Sequence, residues 1–122
     1  MWSGINGRHS EPVALTGYTG PGCWADPDMM LIGLQRSFGK DAHPSYLTPN
    51  EQYTHVSLWS LVAAPMLLGC DLERLDEFTK SLVVNDEVLS VNQDSRGAAA
   101  RRVVAEDGLQ VWVRPLPPRE CG

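Results

Sequence analysis

Thr48-Pro49-Asn50-Glu51 opens, and Ala64-Pro65-Met66-Leu67-Leu68-Gly69-Cys70-Asp71 closes, the stretch whose reading decides the fold. Thr48 can cap the N3 amide, Pro49 suits the first helical position because its missing N–H has no helical partner there, and Glu51 can reach back to complete a capping box. The stretch predicts a helix from about Pro49 to Ala63. Its second half, Leu58 to Ala64, is apolar on nearly every face, so the helix needs cover on more than one side. Pro65 stops it, since the residue before a proline is pushed out of the helical region. Met66 to Cys70 is then a continuous apolar run bounded by Pro65 and Asp71, as in a parallel strand buried on both faces. A helix followed at once by such a strand is an α/β arrangement.

Outward from this unit, Asp76 caps a second helix through about Val83, with Phe78 and Leu82 four apart as its inward stripe. Asn85 caps a short third helix over Asp86 to Val91, whose acidic first turn suits the positive helix end. After Asn92-Gln93-Asp94 the pattern changes to period two. Arg101 to Glu106 and Leu109 to Arg114 flank Asp107-Gly108, the pairing that favours a type I′ hairpin and the start of an antiparallel β domain. Pro115, Pro117 and Pro118 close the chain, leaving that hairpin without further strands.

Towards the N-terminus, Gly33 to Leu47 has loop composition and enough length to shape a site. Cys23 to Ile32 reads as a short strand running into an ordered loop, with Pro27 excluding ordinary central pairing at that point. The first twenty residues read as a helix remnant and a loop ending in Gly17-Tyr18-Thr19-Gly20-Pro21-Gly22. That spacing is not a phosphate cradle, because no Lys-Ser/Thr follows and Pro21 lacks a backbone N–H.

The 122 residues, 43% apolar, would suit one small domain, and nine prolines with eleven glycines favour short elements joined by shaped turns. A formal charge of −5 leaves no basic surface for nucleic acid or an anionic membrane. No apolar run approaches the roughly 18 to 20 residues of a membrane span, and Met1-Trp2-Ser3-Gly4 lacks the regions of a signal peptide, so the compartment stays open. Cys23, Cys70 and Cys121 allow at most one disulfide. His9, His43 and His55 lack zinc-ligand spacing, and no metal site is expected.

Asp26 and Asp28 are the candidate chemistry. If the stretch is extended, both carboxylates leave on one face with Pro27 opposite. Retaining glycosidases hold two carboxyls about 5 to 5.5 Å apart across a sugar bond, which adjacent acids on one strand cannot straddle. Binding of sugar hydroxyls by these carboxylates is the chemistry open to them, beside the plainer reading that both cap turns around Pro27. Trp59 and Tyr53 read as core rather than sugar platforms, Asp71 either ends a site-bearing strand or caps the next turn, and Cys23 has no evident base.

Four ordered runs, Gly20-Pro21-Gly22-Cys23-Trp24-Ala25-Asp26-Pro27-Asp28-Met29, Ser57-Leu58-Trp59-Ser60, Ala64 to Leu72, and Asn85 to Asp94, are similar to the carboxyl-terminal part of the barrel of family 27 glycoside hydrolases, the retaining α-galactosidases. The resemblance covers about Gly20 to Gly97. It implies a partial TIM (β/α)8 barrel, its last two βα units within residues 1–97, followed by the first hairpin of a C-terminal antiparallel β domain in residues 98–122. It also implies that Asp28 and Met29 bind substrate in the galactose pocket, that Trp24 and Asp26 support their loop, and that no cofactor is needed. Ala25 stands where the family usually has asparagine, removing a side-chain hydrogen bond from that turn. Nothing before Gly20 matches the family's nucleophile or acid/base motif, and Trp2-Ser3-Gly4-Ile5 resembles the helix just after the acid/base residue. A complete barrel takes about 250 residues, so the barrel-like part could be only its last quarter or third.

The resemblance thus implies a fragment of an enzyme acting on terminal α-galactosides, inactive alone because both catalytic aspartates are absent. A non-catalytic galactose-binding or scaffold remnant, and a piece of a related α-N-acetylgalactosaminidase, are the alternatives. Oligomeric state is not legible.

Overall fold

The capping box at Thr48 forms as its residues dictate. In the computed structural model, which describes residues 19–36 and 41–117, Thr48 Oγ1 accepts from Glu51 N at 3.4 Å and Glu51 Oε2 accepts from Thr48 N at 2.8 Å. These bonds hold the Glu51 carboxyl below its ordinary pKa. The expectations for the first eighteen residues, including Trp2 to Ile5, and for Pro118 and Cys121 lie outside the described residues.

Helix α1 runs Pro49–Leu61. It ends two residues before the expected Ala63, because Ala63 turns left-handed at φ 55° while its N–H donates to Ser60 O at 3.2 Å and that of Ala64 to Trp59 O at 3.0 Å. This pair of bonds is a Schellman ending, with alanine at the position glycine usually takes. Buried positions Gln52, His55, Val56, Trp59 and Ser60 form one stripe spaced i, i+3, i+4, i+7, i+8. Cover on a second side is only partial, with Leu58 and Leu61 half-buried.

The apolar run after Pro65 departs from a fully buried strand. Met30 and Leu68 form a single parallel bridge, in which Met30 N donates to Leu67 O at 2.7 Å and Gly69 N to Met30 O at 3.1 Å. The preceding segment then turns back, so that Gln35 meets Cys70 antiparallel and Asp71 N donates to Leu34 O at 2.7 Å. Met66 and Leu68 pack against the core, whereas Leu67 stands 49% exposed. The alternation is that of a strand with one covered face, since among the described residues no layer lies over the other.

The core gathers Met30, Ile32, Val56, Trp59, Val62, Ala64 and Leu82. The expected loop from Gly33 to Leu47 carries a small antiparallel pair, β1 (Leu34–Gln35) with β2 (His43–Pro44). A 3-10 turn, Leu72–Arg74, starts at Asp71, whose Oδ1 accepts from Glu73 N at 3.1 Å, so Asp71 is a cap. Helices α2 (Glu77–Val83) and α3 (Asp86–Asn92) follow, with Asp76 and Asn85 as their N-caps. Asp76 Oδ1 accepts from Thr79 N at 2.6 Å, which lowers the Asp76 pKa. Leu82 enters the core and Phe78 packs on it, the inward stripe expected of α2.

Strands β3 (Arg101–Glu106) and β4 (Leu109–Val113) form the hairpin, with a register irregularity between Arg102 and Val104. Asp107 at φ 47° and Gly108 at φ 80° have the two positive φ values of a type I′ turn. Val103, Leu109, Val111 and Val113 remain exposed. Two bonds moor the hairpin's ends to the last turn of α1: Ala100 N donates to Leu61 O at 2.7 Å and Arg114 Nη1 to Ser60 O at 2.5 Å. Burial lowers the Arg114 pKa and the charge of Asp94 opposes that shift.

Candidate functional site

Gly20 to Cys23 close a tight turn, with Gly20 N donating to Cys23 O and Cys23 N to Gly20 O, both at 2.9 Å. The chain leaves it through Trp24, whose ring covers Gly97: a Cβ there would meet Trp24 Cη2 at 2.5 Å, and Gly97 has φ 58°, so only glycine fits. Trp24 thus packs against Gly97 while remaining 46% exposed. With Pro21, Pro65, Asn92 and Asp94 it lines a half-open cleft of about 440 Å3. Neither Asp28 nor Met29 lines that cleft.

Asp26 and Asp28 do not sit on an extended strand, which corrects the same-face reading. Asp28 has φ 79°, and its N–H donates to Asp26 Oδ1 at 2.9 Å. Its own Oδ1 accepts from Met29 N at 2.7 Å. Aspartate tolerates this left-handed backbone better than most residues because its short side chain bonds locally. The plain turn-capping reading is therefore met by Asp26. Asp28 is exposed, and its other carboxylate oxygen faces no bond within this turn, so it is available to an outside donor.

Met29 is 48% exposed, and its Cβ lies close to Gly69 of the neighbouring strand. A Cβ on Gly69 would stand 3.4 Å from Met29 Cβ and 2.9 Å from Met30 O, so the bare glycine allows the two segments their close approach. Met29 and Gly69 are brought together, and Trp24 lies against Gly97.

Three α1 residues complete the frame, and two of them escaped the sequence reading. Trp59, 3% exposed, donates from Nε1 to Asp28 O at 3.0 Å. His55, 5% exposed, accepts at Nε2 from Leu31 N at 3.1 Å and lies against the Trp59 ring with centroids 3.9 Å apart. Burial lowers its pKa to about 4, so the ring is neutral at pH 7, as an accepting nitrogen requires. Gln52 Oε1 accepts from Gly33 N at 3.0 Å. The available signal was two polar residues, Gln52 and His55, spaced i and i+3 on the stripe that Val56 and Trp59 continue. Tyr53 corrects the core reading in the other direction: it is 52% exposed and meets Phe78 edge-on at 5.4 Å.

Cys23 is exposed and free, and burial raises the pKa of half-buried Cys70, so that thiol is protonated at neutral pH. Among the described residues, no group of three or more His, Cys, Asp or Glu could hold a metal ion, and no helix is long and apolar enough to cross a membrane.

The family model described as Alpha galactosidase A matches residues 6–94. The α-galactosidase of Oryza sativa is 36% identical over 115 residues, which are 94% of this chain and 25% of that protein. The α-galactosidase of Cyamopsis tetragonoloba is 39% identical over 115 residues, 94% of this chain and 26% of that protein. Among solved structures, a family 27 β-L-arabinopyranosidase of Geobacillus stearothermophilus superimposes with TM-score 0.79 at 33% identity, over 92% of this chain and 26% of that one. The chain spans about a quarter of the length of the relatives it matches, and its mixed α/β elements correspond to part of a family 27 catalytic domain. With the matched model covering well over half of its residues, the chain belongs to the α-galactosidase family, glycoside hydrolase family 27.

Proposed function

We propose that this chain supplies one wall of the sugar pocket of a retaining α-galactosidase, with Asp28 and Met29 as its substrate-binding residues. One observation carries the reading: Asp28 and Met29 immediately precede the parallel bridge between Met30 and Leu68, in a chain of this family, with Met29 leaning on Gly69. Two side-by-side parallel segments are what the last two βα units of a parallel α/β barrel would contribute. In this reading residues 1–97 are barrel and residues 98–122 open an antiparallel β domain. The Asp28 carboxylate accepts hydrogen bonds from sugar hydroxyls, and the Met29 thioether packs on the apolar face of the ring. Asp26 and Trp24 hold the loop.

The bond-breaking groups come from residues outside this chain. Retention requires a nucleophilic and an acid/base carboxyl across the glycosidic bond, and Asp26 is engaged with the Asp28 amide instead. The natural substrate in this reading is a terminal α-galactoside. The β-L-arabinopyranosidase likeness favours a second sugar, since a variant of that enzyme is known with arabinose bound.

Two measurements test this. The pure chain should leave a nitrophenyl α-galactoside uncleaved at any concentration; cleavage proportional to chain concentration refutes the absence of catalytic groups. Methyl galactoside, titrated while the Met29 methyl and Asp28 amide resonances are followed, should move both, and D28A should weaken that titration about tenfold or more, as loss of a charged hydrogen-bond acceptor does. Galactoside-induced shifts confined to other residues would end the assignment. Stronger shifts with methyl arabinopyranoside would select the second sugar.

A further inference from the structure

The backbone between Asp28 and Gly33 is satisfied largely by side chains rather than by a neighbouring strand. Trp59 Nε1 donates to Asp28 O at 3.0 Å, Leu31 N donates to His55 Nε2 at 3.1 Å, and Gly33 N donates to Gln52 Oε1 at 3.0 Å. The three side chains occupy i, i+3 and i+7 of α1, one face of the helix, and all are buried. Gln52 is itself oriented, because its Nε2 donates to Leu47 O at 3.0 Å and so turns Oε1 toward Gly33. Ser45 Oγ closes the far side by donating to Leu31 O at 2.6 Å.

Asp28 needs such a hold. A non-glycine residue at φ 79° persists only where its surroundings over-determine it. Here the Asp28 N–H is taken by Asp26 Oδ1 and the Asp28 carbonyl by Trp59 Nε1, so its peptide groups are gripped on both sides. Two residues past Met29, the Leu31 amide is held by His55. The carboxylate and the thioether thus stand between two backbone anchors on one rigid helix.

We propose that Gln52, His55 and Trp59 are positioning residues that set the Asp28 and Met29 side chains for sugar binding. The proposal rests on reading those two as the sugar wall. None of the three needs to touch sugar; each acts through the backbone it holds. Positioning of this kind reduces the ordering cost of binding, so its loss weakens affinity without removing a sugar contact.

The test uses isotope-labelled full-length chain. In the unsubstituted protein, a nitrogen-to-nitrogen scalar coupling through the hydrogen bond should link Leu31 N to His55 Nε2, and its absence overturns the proposal without any variant. H55L keeps side-chain volume closely and loses the acceptor, while W59F keeps an aromatic ring and loses the donor. Both should displace the Asp28 amide and Met29 methyl resonances and weaken galactoside binding about tenfold, the scale of one lost hydrogen bond. H55Q keeps an acceptor and should restore both readouts, which a merely space-filling role would not require. Resonances of Asp28 and Met29 unmoved in H55L and W59F, or H55Q no better than H55L, would refute positioning. A native chain that gives the coupling and the displaced resonances but never titrates with galactoside leaves the positioning standing and removes the sugar wall.

Discussion

The Asp28 to Gly33 segment and the β3–β4 hairpin solve the same problem in opposite ways. Both must satisfy backbone N–H and C=O groups. The hairpin pairs with itself across Asp107-Gly108, touches α1 at its two ends, and leaves Val103, Leu109 and Val111 exposed. The Asp28 segment makes one parallel bridge and borrows Gln52, His55 and Trp59 from a helix, with Asp26 and Ser45 taking further backbone groups. Local pairing makes the hairpin self-sufficient in register but peripheral in energy. Long-range anchoring ties the candidate site to the core, so damage to the core is felt at the site.

The largest expected break in that contrast is G69V. A Cβ there stands 2.9 Å from Met30 O, a backbone atom that cannot swing away, so the two parallel segments must separate. A loss of about 3 kcal/mol is expected, at the upper end of overpacking costs, read from the urea midpoint. Unchanged midpoint and unchanged Met30 amide exchange would show that the bridge matters less than its geometry implies.

Acid should act next, through His55 in the anchored region. The folded-state pKa of His55 is lowered to about 4 by burial, below the ordinary 6.5 of an unfolded histidine. The unfolded chain therefore takes up the proton first. Stability from neutral His55 is complete above pH 6.5, falls as pH drops toward 4, and levels off below; the full span is about 3 kcal/mol. Urea melts between pH 7 and pH 4.5 check this, and H55Q should flatten the His55 share of the slope.

W24A sharpens where the two regimes meet, since Trp24 couples the loop ahead of Asp28 to Gly97, just before the hairpin. Because the ring is already 46% exposed, a loss of about 2 kcal/mol is expected, below the cost of a fully buried aromatic, by thermal melting. G108A is the smallest. Alanine at φ 80° should cost about 1 kcal/mol and raise amide exchange in β3 and β4 only, leaving Asp28 to Gly33 protected.

Much of the fold was legible because its signals are local. The Thr48 box, the Asp76 and Asn85 caps and the Asp107-Gly108 turn each depend on residues within a few positions, and each forms where those residues stand. The same-face geometry of Asp26 and Asp28 failed because alternation presumes an extended backbone, and Asp28 turns left-handed. The buried strand at Met66 to Cys70 failed in part because an apolar run states what a segment can bury and not how many faces its neighbours cover.

Residue order alone determined the helix starts, the hairpin turn, the family, and Asp28 with Met29 as the residues to watch. Tertiary structure alone decided that Gln52 and His55 hold the backbone beside them, because a side chain accepting from an amide 19 or 24 residues away leaves no local trace. It also decided that Gly69 is where two segments nearly touch, since close approach is a relation between distant parts of the chain.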